Sequence, residues 1–164
     1  MINLSRNIKM KLLKKVVEDI YKNQLMTKIS NLTSGSKLYL YKQIKTDFGL
    51  EKYLLKESSF KNRQILTKFR VSDHPLEVEI GRYKNILREN RLCTVCKEIE
   101  DEYHFLLYCN INKHLRQTIV QNLHLDLNID NDNKLENMRK ILNPKLELLP
   151  NVCDFIKQSL ALRK

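Results

Sequence analysis

Four side chains in this 164-residue chain have types and spacings that fit one metal ion. They are Cys93, Cys96, His104 and Cys109, in the pattern C-x2-C-x7-H-x4-C. Two cysteines separated by two residues fit on one tight turn and present their sulfurs from the same side. A histidine and a cysteine with four residues between them fit near one end of a short helix, within the range of structural zinc pairs. The stretch Asp101–Cys109 has helical character, and Asp101 and Glu102 suit the positive end of its dipole. Three thiolates and one imidazole fill a tetrahedral zinc sphere and leave no place for water. The expected ion is therefore a single structural zinc.

Other chemistries for the same residues fare worse. A redox C-x-x-C pair needs a βαβ surround, and the pattern here has none. Glu98, Glu100 and Glu102 are near in sequence, but a four-ligand site gives a general base no bound water to act on. Lys9, Lys11, Lys14 and Lys15 break up any secretory leader, so the cysteines are expected reduced, in a nuclear or cytoplasmic setting. Without a leader, the glycosylation pattern Asn31-Leu32-Thr33 carries no weight. Cys153 reads as a small buried hydrophobe and His114 as an exposed helix residue. His124 has no ligand partner nearby. His74, in a turn constrained by Pro75, reads as a hydrogen-bonded structural histidine.

The elements that must position the ligands are mostly helical. Only three Gly and three Pro interrupt the chain, and 42% hydrophobic with 30% charged residues is a globular balance. Residues 5–29 read as an amphipathic helix capped by Ser5, with Ile8, Leu12, Val16 and Ile20 in a stripe widened by Leu13 and Val17. After a loop at Asn31–Ser36, residues 36–48 read as a second helix, capped by Ser36, with Leu40, Ile44 and Phe48 on one face and Gly49 as its stop. Residues 58–70 read as a third, with Phe60, Ile65, Leu66 and Phe69 apolar and Lys61, Arg63, Lys68 and Arg70 exposed. Leu76–Ile80 alternates with period two and ends at Gly81, which predicts a short strand or extended arm. Residues 111–123 and 132–142 look helical, and Pro150 starts a last helix carrying Val152, Phe155, Ile156 and Leu160. No apolar run is long enough to span a membrane.

The net charge of +11 is unevenly placed. Residues 1–92 carry 20 Lys and Arg against 9 Asp and Glu, and residues 93–164 carry 10 against 10. A basic half of this size attracts polyanions, of which nucleic acid is the usual one; the plainer reading is a solubilising surface. The candidate contacts are Lys61, Arg63, Lys68 and Arg70 on the helix and Arg82, Lys84, Arg88 and Arg91 on the arm. Tyr83 is placed to stack on a base.

The order of motifs resembles a known family. Leu66-Thr-Lys-Phe-Arg-Val-Ser-Asp-His74-Pro-Leu-Glu-Val-Glu-Ile-Gly-Arg-Tyr83, then Arg88-Glu-Asn-Arg-Leu-Cys93-Thr-Val-Cys96, then Glu100-Asp-Glu-Tyr-His104-Phe-Leu-Leu-Tyr-Cys109, is similar to the zinc-binding region behind the reverse transcriptase of LINE-type (non-LTR) retrotransposons. The likeness covers residues 37–116, loosely before residue 56. It implies that Cys93, Cys96, His104 and Cys109 hold zinc and that the region helps grip template RNA or target DNA. It also implies a piece of a larger element protein, with the other parts of that protein as partners. The chain itself shows no paired-Asp polymerase motif and no endonuclease constellation, so it is expected not to be an enzyme and to take no small-molecule substrate. Glu98, Glu100, Asp101 and Glu102 make the knuckle loop a poor phosphate contact, leaving that role to the basic residues beside it.

The expectation is a mainly α, small helical domain organised around one structural zinc knuckle, with a short extended or β arm. Its segments are a basic helical one (1–57), the Arg-rich helix, arm and knuckle (58–116), and C-terminal helices (117–164). The expected function is nucleic-acid binding with little sequence specificity. The alternative is a structural or protein-interaction domain closed by zinc, a remnant of a degenerate element.

Overall fold

The computed structural model describes residues 6–33, 35–45, 49–57, 59–127 and 131–163. Among these the architecture is mainly α, with helices α1 (Arg6–Ser30), α2 (Tyr39–Ile44), α3 (Lys52–Lys56), α4 (Phe60–Arg70), α5 (Glu77–Tyr83), α6 (Lys113–Leu123), α7 (Asn131–Leu142) and α8 (Leu149–Ala161). The β pairing among the described residues is a single antiparallel bridge between Leu92 and Ile99.

Local chemistry sets the helix ends. The Ser59 hydroxyl accepts from the Asn62 N–H and starts α4 one residue after Ser58, which lies outside the described residues. Pro150 sits in the first turn of α8, where its missing N–H leaves no helical bond unmade. His124 closes α6 in the left-handed conformation at φ 48°. The proposed caps Ser5 and the residue Phe48 lie outside the described residues.

One apolar cluster holds the fold together. α8 packs on α4 and α6, and α2 packs on α7 and α4. Leu40 and Ile44 of α2, Leu66 and Phe69 of α4, Ile141 and Leu142 of α7 and Val152 and Ile156 of α8 are all buried in it. So are Phe105, Leu106 and Leu107, which lie between His104 and Cys109. The ligand-bearing turn is therefore seated in the core. Residues on both sides of the knuckle share this cluster.

Several expectations need correction. The arm at Leu76–Ile80 is helical: α5 spans Glu77–Tyr83. Its alternation reflects Glu79 turned inward, where Arg82 pairs with it at 3.1 Å, rather than a pleated strand. Gly81 does not end a strand either. A Cβ there would meet the Arg91 side chain at 2.5 Å, so any larger residue must displace Arg91. The second helix starts at Tyr39, because Ser36 closes a turn with Thr33 instead of capping. Phe60 is 68% exposed at the start of α4, and Arg70 at its end is buried, contrary to the expected faces. The helix α3 carried no signal long enough to be read. Finally, α1 forms, but its stripe is not buried: Ile29 is its one buried residue among those described.

Candidate metal centre

Cys93 and Cys96 sit on a tight hairpin. The Leu92–Ile99 bridge closes it, the Cys93 N–H donates to the Glu98 carbonyl at 2.8 Å, and the Lys97 N–H donates to the Cys93 carbonyl at 3.0 Å. Lys97 turns the chain at φ 60°, in the left-handed region. Backbone amides then point at sulfur: Cys96 N to Cys93 Sγ at 3.5 Å and Asn110 N to Cys96 Sγ at 3.3 Å. Such donors stabilise a thiolate and orient it.

The other two ligands depend on an unusual turn. An α-helix advances about 100° per residue, so residues five apart lie roughly 140° apart around its axis. His104–Tyr108 is instead a π-type turn, in which the Cys109 N–H donates to the His104 carbonyl at 2.7 Å. The wider turn brings positions i and i+5 to one side, a geometry often found at functional sites. Asp101 caps this segment by accepting from the His104 N–H at 2.9 Å.

The four ligand atoms lie within 4.8 Å of one another. Cys109 Sγ is 3.8 Å from Cys93 Sγ and 3.9 Å from Cys96 Sγ. Zinc–sulfur bonds of ~2.3 Å at tetrahedral angles separate sulfurs by ~3.8 Å, whereas a disulfide would need ~2.05 Å. The histidine supplies an independent test of fit. Its Nδ1–H donates to the Glu98 carboxylate at 3.1 Å, which leaves the lone pair on Nε2. That Nε2 is buried and has no hydrogen-bond partner. An unpaired buried acceptor is costly unless something else occupies it, and a cation among three sulfurs would do so. The group is compatible with one zinc ion. Burial pushes the Cys109 thiol up to about 12, and the charges of Cys93 and Cys96 push the same way. Metal binding must therefore displace its proton.

Two residues of this centre went unread in the sequence. Glu98 orients the imidazole, and nothing in its spacing marks that task. Arg116 donates to the Cys109 carbonyl and to Asn112 Oδ1 while buried. Burial pushes its pKa down and the Cys109 and Cys96 sulfurs oppose that shift. Three thiolates on a divalent ion would leave one negative charge, and the buried Arg116 beside them would balance it.

The remaining knuckle acids are turned inward. Glu100 is buried and takes Arg163 and the Glu77 N–H. Glu102 accepts from His74 Nε2 at 2.9 Å and from the Ser72 hydroxyl. Burial works to raise the Glu102 carboxyl, but His74 and Ser72 together outweigh it and hold it below its usual value. His74 also packs on Phe69, ring centres 4.9 Å apart. Asp101 pairs with Arg88 at 3.1 Å. The acidic loop thus supports the fold more than it presents charge to solvent.

The basic residues separate into two groups. Lys61, Lys68, Tyr83, Lys84 and Arg88 are exposed. Arg63 is half-buried and its Nη1 donates to the Glu57 carbonyl. Arg82 is tied to Glu79 and to the Gly35 carbonyl. Arg91 packs over Gly81 and donates to the carbonyls of Ile86 and Val78, each at 2.9 Å. Arg70 is 1% exposed, lies between the rings of Tyr41 and Tyr53, and pairs with Glu51 at 2.8 Å. Arg70 and Arg91 are occupied inside the fold, Arg70 by Glu51 and the Leu142 carbonyl and Arg91 by two backbone carbonyls, pairings that offset the cost of taking a guanidinium out of water. No family model matches the chain, and neither a curated protein nor a solved structure does.

Proposed function

We propose that the chain is a zinc-stabilised nucleic-acid-binding module in which the metal has a structural task and the exposed basic residues make the contacts. The observation that carries this reading is the separation of roles in the basic half. Lys61, Lys68 and Lys84 are exposed, and among the described residues no carboxylate pairs with them. Arg88 stays 48% exposed despite Asp101. Tyr83, exposed beside Lys37 Nζ at 5.8 Å, adds a flat apolar surface of the kind that stacks on single-stranded bases. The similarity of residues 66–109 to the region behind LINE-type reverse transcriptases supports the same reading. In that case the zinc is a four-ligand staple and the chain works as part of a larger element protein.

The test is the salt dependence of binding to single-stranded RNA and to duplex DNA. Replacing Lys61, Lys68, Lys84 and Arg88 with Ala removes four cations without touching the core. Affinity should fall, and the slope of log K against log salt should flatten by roughly 0.7 per lost phosphate contact on a single strand or 0.9 on a duplex. An unchanged slope in a protein that still holds its zinc rejects the reading.

A second reading is favoured by a different observation. The apolar stripe of α1 is exposed, with Leu12, Leu13 and Val16 each at least half exposed. Large exposed apolar surface on a folded domain marks a contact with another macromolecule. A protein-interaction domain closed by zinc would show that contact and no salt-dependent nucleic-acid binding.

A further inference from the structure

The 25 residues of α1 extend about 37 Å at 1.5 Å per residue, and only its C-terminal end meets the body of the fold. Ile29 is buried there, and Lys42 Nζ donates to the Ser30 and Leu32 carbonyls at 2.7 and 3.0 Å. Residues before this anchor are exposed. Placed at 100° per residue, Leu12, Leu13, Val16, Val17, Ile20 and Tyr21 fall on one half of the helix surface, 41–63% exposed. Leu25, Met26 and Ile29 fall on the opposite half, where only Ile29 is buried. The helix is thus two-part: its end docks on its own domain, and residues 12–21 present a second apolar face that none of the described residues covers.

Charge selects the partner. α1 carries seven Lys and Arg against Glu18 and Asp19, a net charge of +5. Lys11 and Lys22 lie behind the stripe, Lys14 and Lys15 flank it, and Lys9 lies roughly 30° from its centre. A second copy of this helix would bring two +5 surfaces together, which like-charge repulsion opposes. A lipid bilayer accepts the apolar half but not an ammonium at the middle of it. A protein groove with apolar pockets and carboxylates at its floor and rim satisfies both features. Basic amphipathic helices of this pattern are taken by acidic grooves that wrap around them. We propose that α1 is a docking helix for an acidic protein with an apolar groove, seated through Leu13, Val17 and Ile20 and steered by its lysines. This goes beyond the nucleic-acid reading and does not depend on it.

The experiment uses the full chain with its zinc and calcium-loaded calmodulin as a probe of that chemistry, by titration calorimetry. Micromolar binding is expected, reduced at least tenfold by Leu13→Ser with Val17→Ser, and weakened by salt. The double variant replaces exposed residues, so zinc content and melting temperature should not change, which separates lost docking from lost folding. Two controls decide between occupants: sedimentation of the chain alone, and co-flotation with phosphatidylserine–phosphatidylcholine vesicles. Absent binding to calmodulin overturns the proposal. So does a dimer, or vesicle binding, abolished by the same double variant.

Discussion

The four-helix packing of α4, α6, α7 and α8 and the knuckle at Leu92–Cys109 are stabilised by different forces. The helices bury Leu66, Phe69, Met138, Ile141, Leu142, Val152 and Ile156 in one apolar cluster, so most of their stability scales with apolar area removed from water, with Arg70 and Ser159 as buried polar exceptions. The knuckle hairpin offers Cys93 and Cys96 but little else apolar: Val95 is 59% exposed and Leu92 38%. Its geometry rests on hydrogen bonds to sulfur and backbone, and a bound ion would add to them. A region with too little apolar surface to fold alone needs another source of free energy, and three thiolates with an imidazole supply it once a metal binds. The two regions join at Phe105, Leu106 and Leu107, which are core residues inside the ligand-bearing turn.

Metal loss should divide these regions most sharply. Chelation, or Cys96→Ser with His104→Ala, is expected to abolish zinc binding and lower the melting temperature by about 10 °C or more, since metal-binding free energy is folding free energy here. Hydrogen exchange should rise first over residues 92–104 and last in α8. Uniform loss of protection would erase the distinction. The reverse operation is a cavity in the dry core: Leu142→Ala should cost ~2–5 kcal/mol in denaturant unfolding. Zinc content should stay at one per chain, and its loss in that variant would mean that the core and the knuckle fold as one unit.

Smaller changes refine the boundary. Gly81→Ala pushes a methyl into the Arg91 side chain that spans α5 and the knuckle, with an expected cost of ~1–3 kcal/mol by thermal melting. An unchanged melting temperature would show that Arg91 moves aside freely. Glu98→Gln should have the mildest effect, about a tenfold loss of zinc affinity in a competition titration with little change in the apo protein's unfolding. An equal loss of stability with and without zinc would assign Glu98 to the hairpin rather than to the imidazole.

Much of the helical core was legible because its signals are local. The stripes in α4 and α8 recur at helical spacing, and Pro150 marks the start of α8. The faces were less legible. Phe60 and Arg70 exchanged their expected places because Arg70 finds Tyr41, Tyr53, Glu51 and the Leu142 carbonyl, all remote in sequence. The short arm was misread for a related reason. Period-two alternation over five residues fits a strand, but it also fits a helical turn whose middle carboxylate is buried against Arg82.

By itself the sequence marked Cys93, Cys96, His104 and Cys109 as a candidate ligand set, because C-x2-C-x7-H-x4-C combines residue types and spacings that fit one metal ion. It also determined the mainly α class and the basic half, which are sums over the chain. The tertiary structure decided how His104 and Cys109 meet, since a π-type turn depends on the core that grips Phe105 to Leu107. It decided that Glu98 holds the imidazole and that Arg116 sits beside the thiolates. It also decided which cations are free to contact a partner and which are spent inside the fold. Those outcomes depend on burial and on neighbours distant in sequence, which no local pattern encodes.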